Sequence, residues 1–357
     1  MIDINKSGTD QYQPLIIFGV TRMKQRWMIG SIAALGTLLT APAFAAEQVV
    51  VYTAFETDVL AKYKVAFEQS NPDIEIKWVR DSTGIMTAKL LAEKNNPRAE
   101  VVWGLAGSSM ALLKKAGILK PYSPQGVENL RTSMIDPENN KAWYGNDAWF
   151  NAICFNEYVA KEHNLPKPKS WNDLLNPIYK GHIAMPNPAS SGTGYMQVSA
   201  WLQTMGDDKG WSYMTKLNDN IAHYTHSGSK PCVQAGMGEV AIGISMALRG
   251  AKLKTQGAPL DVILPAGGIG WESEAVGLVK KSAAAKRIVD WSISKQANEL
   301  YNESYALVGH NEVSKPVANY PDVQASMVAM DFSKMANDRQ QVLHTWSEKF
   351  DAKSEPK

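Results

Sequence analysis

The 357-residue chain is too long for one ordinary hydrophobic core and sized for two domains. Its 37 Lys and Arg nearly balance 35 Asp and Glu, leaving a formal charge of +2 and no long basic run, so a nucleic-acid partner has no support. Apolar content of 45% is that of a globular protein, and two distant cysteines, Cys154 and Cys232, make neither a CxxC motif nor a disulfide framework.

From Met23 the chain reads MKQRWMIGSIAALGTLLTAPAFAAEQ: a basic start, an apolar run and the small-x-small site Ala43-Phe44-Ala45. That pattern is a secretory signal peptide over 23–45, with Ala46 the first mature residue. The apolar run is shorter than the ~20 residues that span a bilayer. Residues 1–22 read as an over-called start or a leader extension. The expected mature chain is exported, to the periplasm.

Past Ala46, strands and helices alternate. VVVYTA reads as a strand, Asp58–Ser70 as a helix, IEIKWV as a strand, and a helix follows Ser82-Thr83-Gly84. AEVVWG is a third strand, and Ser108–Gly117 a helix with a glycine stop. This alternation predicts a parallel, doubly wound α/β sheet. WFNAICFN (Trp149–Asn156) begins a second series containing GHIAMPNP, SSGTG, IAHYT, EVAIGIS and DVILPAGGIG. WESEAVGLVK and three helical segments close the chain. Two α/β lobes result, 46–148 with 273–357 and 149–272, with a ligand cleft between them.

Two stretches carry the strongest chemical pattern. DSTGIMTAKLLAE (from Asp81) and NPASSGTGYMQ (from Asn187) each place small hydroxyl residues and glycine just before a helix. A helix N-terminus offers unpaired N–H groups and partial positive charge, so an anion can settle there. Ser82, Thr83, Gly84, Ser190, Ser191, Gly192 and Thr193 are the candidate donors. Read alone, either stretch is an ordinary N-cap; two of them, one per lobe, point to an oxyanion gripped from both sides. The lysine of a GxxxxGKS/T loop is missing, as are GxSxG and HExxH, and the six histidines show no metal-ligand spacing. A secreted hydrolase would need a nucleophile with its base or a metal pair, and neither assembles.

Acids near strand ends offer a place for a cation: Glu56, Asp147, and Glu272 with Glu274, which period-two alternation puts on one face. Each is also an ordinary solvated acid. Trp103, Trp149 and Trp271 sit at comparable ends, where packing and an ammonium contact are both open. Spacing does not decide whether Cys154 and Cys232 pair; Cys154 lies in an apolar run, while an exported protein can oxidise such a pair.

Together VVVYTAFETD, DSTGIMTAKLLAEKNNPRAEVVWGLAGSS, GNDAWFNAICFN, NPASSGTGY and EVAIGISMALRGAKLKTQGAPLDVILPAGGIGWESEA resemble the substrate-binding proteins of ABC transporters, in the 2-aminoethylphosphonate-binding branch related to the ferric-ion binders. The resemblance spans the mature chain and implies a type II two-lobed periplasmic binding fold, closing on a solute and docking on a permease driven by an ATPase. It further implies a monomer, no cofactor and no bond-breaking step. The phosphonate head would lie on the Ser/Thr/Gly donors; Glu56, Asp147 or Glu272, with Trp103 as a wall, would receive the ammonium. Phosphate, a phosphate ester or ferric ion are the alternatives on the same fold. The ferric relatives carry adjacent tyrosines after the strand matching EVAIGIS. This chain has Met246-Ala247-Leu248-Arg249 there, and Arg249 suits an anionic solute or, as the preferred reading, a salt bridge between lobes.

Overall fold

The computed structural model describes residues 45–356; the expected signal peptide, apart from Ala45, and the extension before it lie outside the described residues. The first lobe opens with β1 (Glu47–Thr53), α1 (Thr57–Ser70), β2 (Ile74–Arg80), α2 (Thr83–Ala92), β3 (Val101–Ala106) and α3 (Gly107–Lys115). A 13-residue strand, β4 (Tyr144–Asn156), then leaves it. The second lobe holds α4 (Glu157–Glu162), β5 (Ile183–Pro186), α5 (Gly192–Met205), α6 (Asp207–Asn218), β6 (Ile221–Thr225), α7 (Lys230–Met237), β7 (Ile242–Met246), α8 (Ala247–Thr255) and β8 (Leu260–Ile263). Next come β9 (Trp271–Leu278), α9 (Ala283–Ser292), α10 (Lys295–Tyr301), β10 (Leu307–Val308) and α11 (Phe332–Phe350).

The strand order is β2-β1-β3-β9-β4-β7-β5-β6, with β8 and β10 added along β4. The crossing strand joins the lobes: Tyr144–Phe150 of β4 pair with β9, and Asn151–Phe155 pair with β7. Every residue of β4 is buried, the expected state of a strand covered on both faces. The sequence predicts a parallel sheet. β1–β2, β1–β3, β5–β6 and β5–β7 are parallel, but β9 and β4 run antiparallel to their neighbours. A returning strand inserted beside β3 imposes that reversal, and no local pattern in the sequence encodes it.

Each lobe has its own apolar core. Phe55, Tyr63, Trp103, Trp291 and Tyr301 cluster in the first, with ring centroids 5.1–6.2 Å apart. Trp171, Trp201, Tyr213 and Tyr224 build the second. The C-terminal helix, expected with the first lobe, sends Met335, Val342, Trp346 and Phe350 into this second core. Trp346 meets Tyr224 at 4.9 Å, and Ser354 beyond the helix extends β6 by one parallel bridge. Its register of apolar residues faces whichever core is nearest in space, which chain order alone does not reveal.

Cys154 of β4 and Cys232 of α7 are joined by a disulfide, both fully buried, across a sequence separation of 78. The pair ties the crossing strand to the helix that covers it. A loop of this length confines the unfolded chain by about 4 kcal/mol in the chain-entropy treatment. The Cys154→Ser/Cys232→Ser protein is therefore expected to lose roughly 2–5 kcal/mol of stability in denaturant titration; an unchanged midpoint would show that the bond adds nothing.

Candidate functional site

A cavity open to solvent lies where the two lobes meet. Its lining comes from Ala54 and Glu56 after β1, Arg80 at the end of β2, and Ser82 and Thr83 at the start of α2. Ser191, Gly192 and Thr193 at the start of α5 stand with Ser227 and Gly228 of the β6–α7 loop. Trp149, Met246, Leu248, Glu274 and Tyr305 complete it.

Helix capping explains why the polar donors point there. Ser191 is the N-cap of α5, its hydroxyl accepting from the Gly194 N–H at 3.3 Å. Ser82 holds the same position on α2 but makes no side-chain cap, which leaves its hydroxyl free for the cavity. The N–H groups of Thr83, Gly192 and Thr193 belong to first turns and have no intrahelical acceptor. Both macrodipoles place positive potential at these ends.

The two N-termini touch. The Gly84 N–H donates to the Ser190 carbonyl at 2.8 Å, so it serves the contact between lobes rather than a solute. A β-carbon at Gly84 would stand 2.1 Å from the Ala189 carbonyl oxygen, and one at Gly192 2.7 Å from Thr83 Oγ1. Glycine is required at both positions because the helices meet there. Ser190 also turns away from the cavity, its hydroxyl donating to the His226 carbonyl at 2.9 Å.

The acids divide unevenly. Glu56 lines the cavity and pairs with Arg249 of α8, which also reaches Asp58 at 3.5 Å. Arg249 thus bridges α1 and α8, with Lys252–Asp58 beside it. Glu272, expected to face a ligand, is fully buried elsewhere: its carboxylate takes the Ser108 N–H at 3.1 Å and the Ser108 hydroxyl at 3.0 Å. It occupies the N-terminus of α3, doing for that helix what an anion would do for α2 and α5. Asp147 is also fully buried, behind the wall, opposite Glu274 in the β4–β9 register. Trp103 lies in the first core, its indole N–H on the Tyr301 hydroxyl at 3.1 Å, where no solute reaches it. For Glu272 and Trp103 a tertiary partner, absent from the local sequence, claims the group.

Arg80 and Tyr305 are among the cavity residues that the sequence reading does not single out. Arg80 holds the Phe55 carbonyl through Nε at 3.1 Å and brings a guanidinium to the cavity. Its signal was a cation ending a strand immediately before the DSTG turn. Glu274 had been noticed only as the partner of Glu272; Tyr305, whose hydroxyl donates to Glu274, had no local mark.

Burial raises the Glu274 carboxyl to about 8 and the Glu272 carboxyl to about 7, the second held back by the Ser108 donors. Burial, then the negative Glu274 beside it, raises Asp147 as well. Among the described residues no helix is long and apolar enough to cross a membrane, and no three His, Cys, Asp or Glu gather as a metal cluster.

Residues 96–331 match the family model described as bacterial extracellular solute-binding protein. The chain belongs to that family. A Sinorhizobium fredii relative, "Probable ABC transporter periplasmic-binding protein y4fP", is 30% identical over 49% of this chain and 52% of its own. The Salmonella typhimurium protein named "Putative 2-aminoethylphosphonate-binding periplasmic protein" is 22% identical over 81% of this chain and 87% of its own. Among solved structures, the periplasmic binding protein AfuA of Actinobacillus pleuropneumoniae, with exogenous fructose-6-phosphate bound, superposes with a TM-score of 0.80 at 28% identity, covering 85% of this chain and 98% of that one. This family member has the two-lobed type II architecture and is the substrate-binding component of an ABC importer, with a small-molecule ligand and a permease and ATPase as partners.

Glu272, fully buried, and Glu274, half-buried, set a pH dependence of the fold. Glu272 and Glu274 move from 4.5 in the unfolded chain to about 7 and about 8, so the folded state holds more protons between these values. Stability from them is complete below about pH 4.5 and is lost as pH rises through 7 and 8. His182, lowered by burial, works in the opposite sense on a smaller scale. Scanning calorimetry of the ligand-free protein should show Tm falling by at least about 3 °C from pH ~5 to ~8.5, the effect of ~1 kcal/mol in a domain of this size. A flat or rising Tm would mean the carboxyls are ionised in the fold.

Proposed function

We propose that this importer subunit captures a small organic phosphate or phosphonate, its oxyanion head held between the N-termini of α2 and α5. One observation carries the reading: two helix starts from different lobes, with the hydroxyls of Ser82, Thr83, Ser191 and Thr193, converge on one cavity that also contains Arg80. Backbone donors at helix ends and a guanidinium are the groups that bind phosphoryl oxygens. Gly84 and Ser190 join the lobes behind the head. The subunit binds and releases its solute unchanged.

The aminophosphonate in the name of the Salmonella relative and the fructose-6-phosphate in the Actinobacillus structure share such a head and differ in the tail. Glu56 supports an ammonium, but its charge is already met by Arg249. Ferric ion fits less well: Arg80 adds positive charge, and the cavity's single tyrosine is Tyr305, bonded to Glu274.

Isothermal titration of the mature protein with inorganic phosphate, 2-aminoethylphosphonate, fructose-6-phosphate and Fe³⁺ tests the head. At least one phosphorus compound should bind, and Arg80→Gln should weaken it by about tenfold or more, the loss of ~1.4 kcal/mol. Heat from Fe³⁺ alone would refute the reading.

Gly84→Ala is a second check. Its β-carbon fits only if α2 withdraws from the Ala189–Ser190 carbonyls. Affinity for the same compound should fall by about tenfold or more, while Tm of the ligand-free protein changes little because the lobes can part. Unaltered affinity would show that this contact is not part of the bound state.

A further inference from the structure

Two acids line the cavity, Glu56 and Glu274, and among the described residues only Glu56 forms an ion pair. It precedes α1 in the first lobe as the N-cap of that helix, and its side chain makes no cap bond. The carboxylate instead accepts from Nη2 of Arg249, in the first turn of α8 on the second lobe. Both side chains are largely enclosed, 17% exposed for Glu56 and 13% for Arg249. Arg249 also approaches Asp58 at 3.5 Å, and Lys252 of α8 pairs with the same acid. Arg249 itself does not line the cavity, although its neighbours Met246 and Leu248 do. Its influence on a solute therefore passes through Glu56.

Two other cations stand nearby, and each is committed elsewhere. Arg80 enters the cavity from the first lobe, with Nε on the Phe55 carbonyl at 3.1 Å. Lys252 is held by Asp58. Without Arg249, Glu56 would present an unpaired carboxylate to the space that the ends of α2 and α5 share. A largely enclosed charge acts strongly on its neighbours, because little water or salt screens it. It would repel an oxyanion and attract an ammonium.

We propose that Arg249 is a specificity-determining residue of the cavity: by neutralising Glu56 across the lobes, it favours oxyanion solutes and withholds that carboxylate from a cationic tail. The inference rests on the oxyanion reading above and adds a residue that sets selectivity without touching the solute. This is a positioning role, unlike that of Arg80, which lies in the lining. Because α1 and α8 belong to different lobes, the neutralisation operates while the lobes are joined. Glu274, the other lining acid, is kept in every variant below and enters each comparison equally.

At pH ~7.5, where ordinary carboxyls and amines are charged, titration calorimetry compares the unaltered protein with Arg249→Gln, Arg249→Lys and Glu56→Gln/Arg249→Gln. The probes are inorganic phosphate, fructose-6-phosphate, 2-hydroxyethylphosphonate and 2-aminoethylphosphonate, the last two alike in head and length. Arg249→Gln should weaken the compounds without an ammonium by about tenfold, and the aminophosphonate by about threefold or less. Removing Glu56 as well should return every affinity to within about threefold of the unaltered protein, because no unpaired charge remains. Arg249→Lys keeps the charge and should do the same. Glu56→Gln alone gives an independent reading: it leaves the Arg249 charge unopposed by Glu56 and should tighten the compounds without an ammonium by about threefold. A bridge that only held the lobes together would behave otherwise. Every compound would weaken equally, Glu56→Gln would weaken them too, and the double variant would be as weak as Arg249→Gln. That pattern, or affinities unmoved by Arg249→Gln, overturns the inference and leaves the head reading standing. If no phosphorus compound binds the unaltered protein, both fall together.

Discussion

Everything in this site depends on the approach of two helix N-termini. α2 and α5 come from different lobes, and their first turns meet through the Gly84 N–H and the Ser190 carbonyl, with Gly192 against Thr83. That approach fixes glycine at both contacts, points Ser82 and Thr83 toward Ser191 and Thr193, and defines the cavity's size. It also concentrates positive potential: two macrodipole ends and the Arg80 guanidinium share one small space.

The acids around the cavity are arranged so that little free negative charge offsets this. Glu56 is met by Arg249. Glu274 accepts the Tyr305 hydroxyl, and burial raises its carboxyl to about 8. Glu272 is diverted to the start of α3, where Ser108 satisfies both its oxygens. Three carboxyls close in sequence or register thus take three different states, set by their neighbours. Under the proposed function, the two helix ends and Arg80 favour an oxyanion despite two acids in the lining.

The sequence revealed those features whose physics is local. Alternating strands and helices, the caps at Ser82 and Ser191, and the glycines beside them are written within a few residues, and the structure brings Ser82, Thr83, Ser191, Gly192 and Thr193 to one cavity. What went unread depends on distant partners. Trp103 looks like any strand-end tryptophan until Tyr301 and Phe55 enclose it. Glu272 and Glu274 share a strand and a face, yet Ser108 claims one and Tyr305 the other. Cys154 and Cys232 are brought together by β4 passing beneath α7. Arg80 has only a weak local mark, a cation ending the strand before the Asp81–Gly84 turn, and its place in the cavity follows from the lobes meeting there.

Comparison of α3 with α2 and α5 shows why binding and closure belong together. At α3 the helix end is satisfied permanently, by Glu272 from β9 of the same framework. At α2 the Asp81 carboxylate accepts from the Ser82 N–H at 2.7 Å, whereas no carboxylate among the described residues is hydrogen-bonded to the first-turn N–H groups of Thr83, Gly192 or Thr193, and the two ends belong to different lobes. Bringing them together without an anion sets like potentials against each other; an oxyanion between them reverses the sign of that interaction. A solute that contacts both ends stabilises the joined lobes by its differential affinity for that state, and one that contacts a single end does not. Under the proposed function, the solute supplies negative charge between the two helix ends, and the joined form is thereby a report that the cavity is filled.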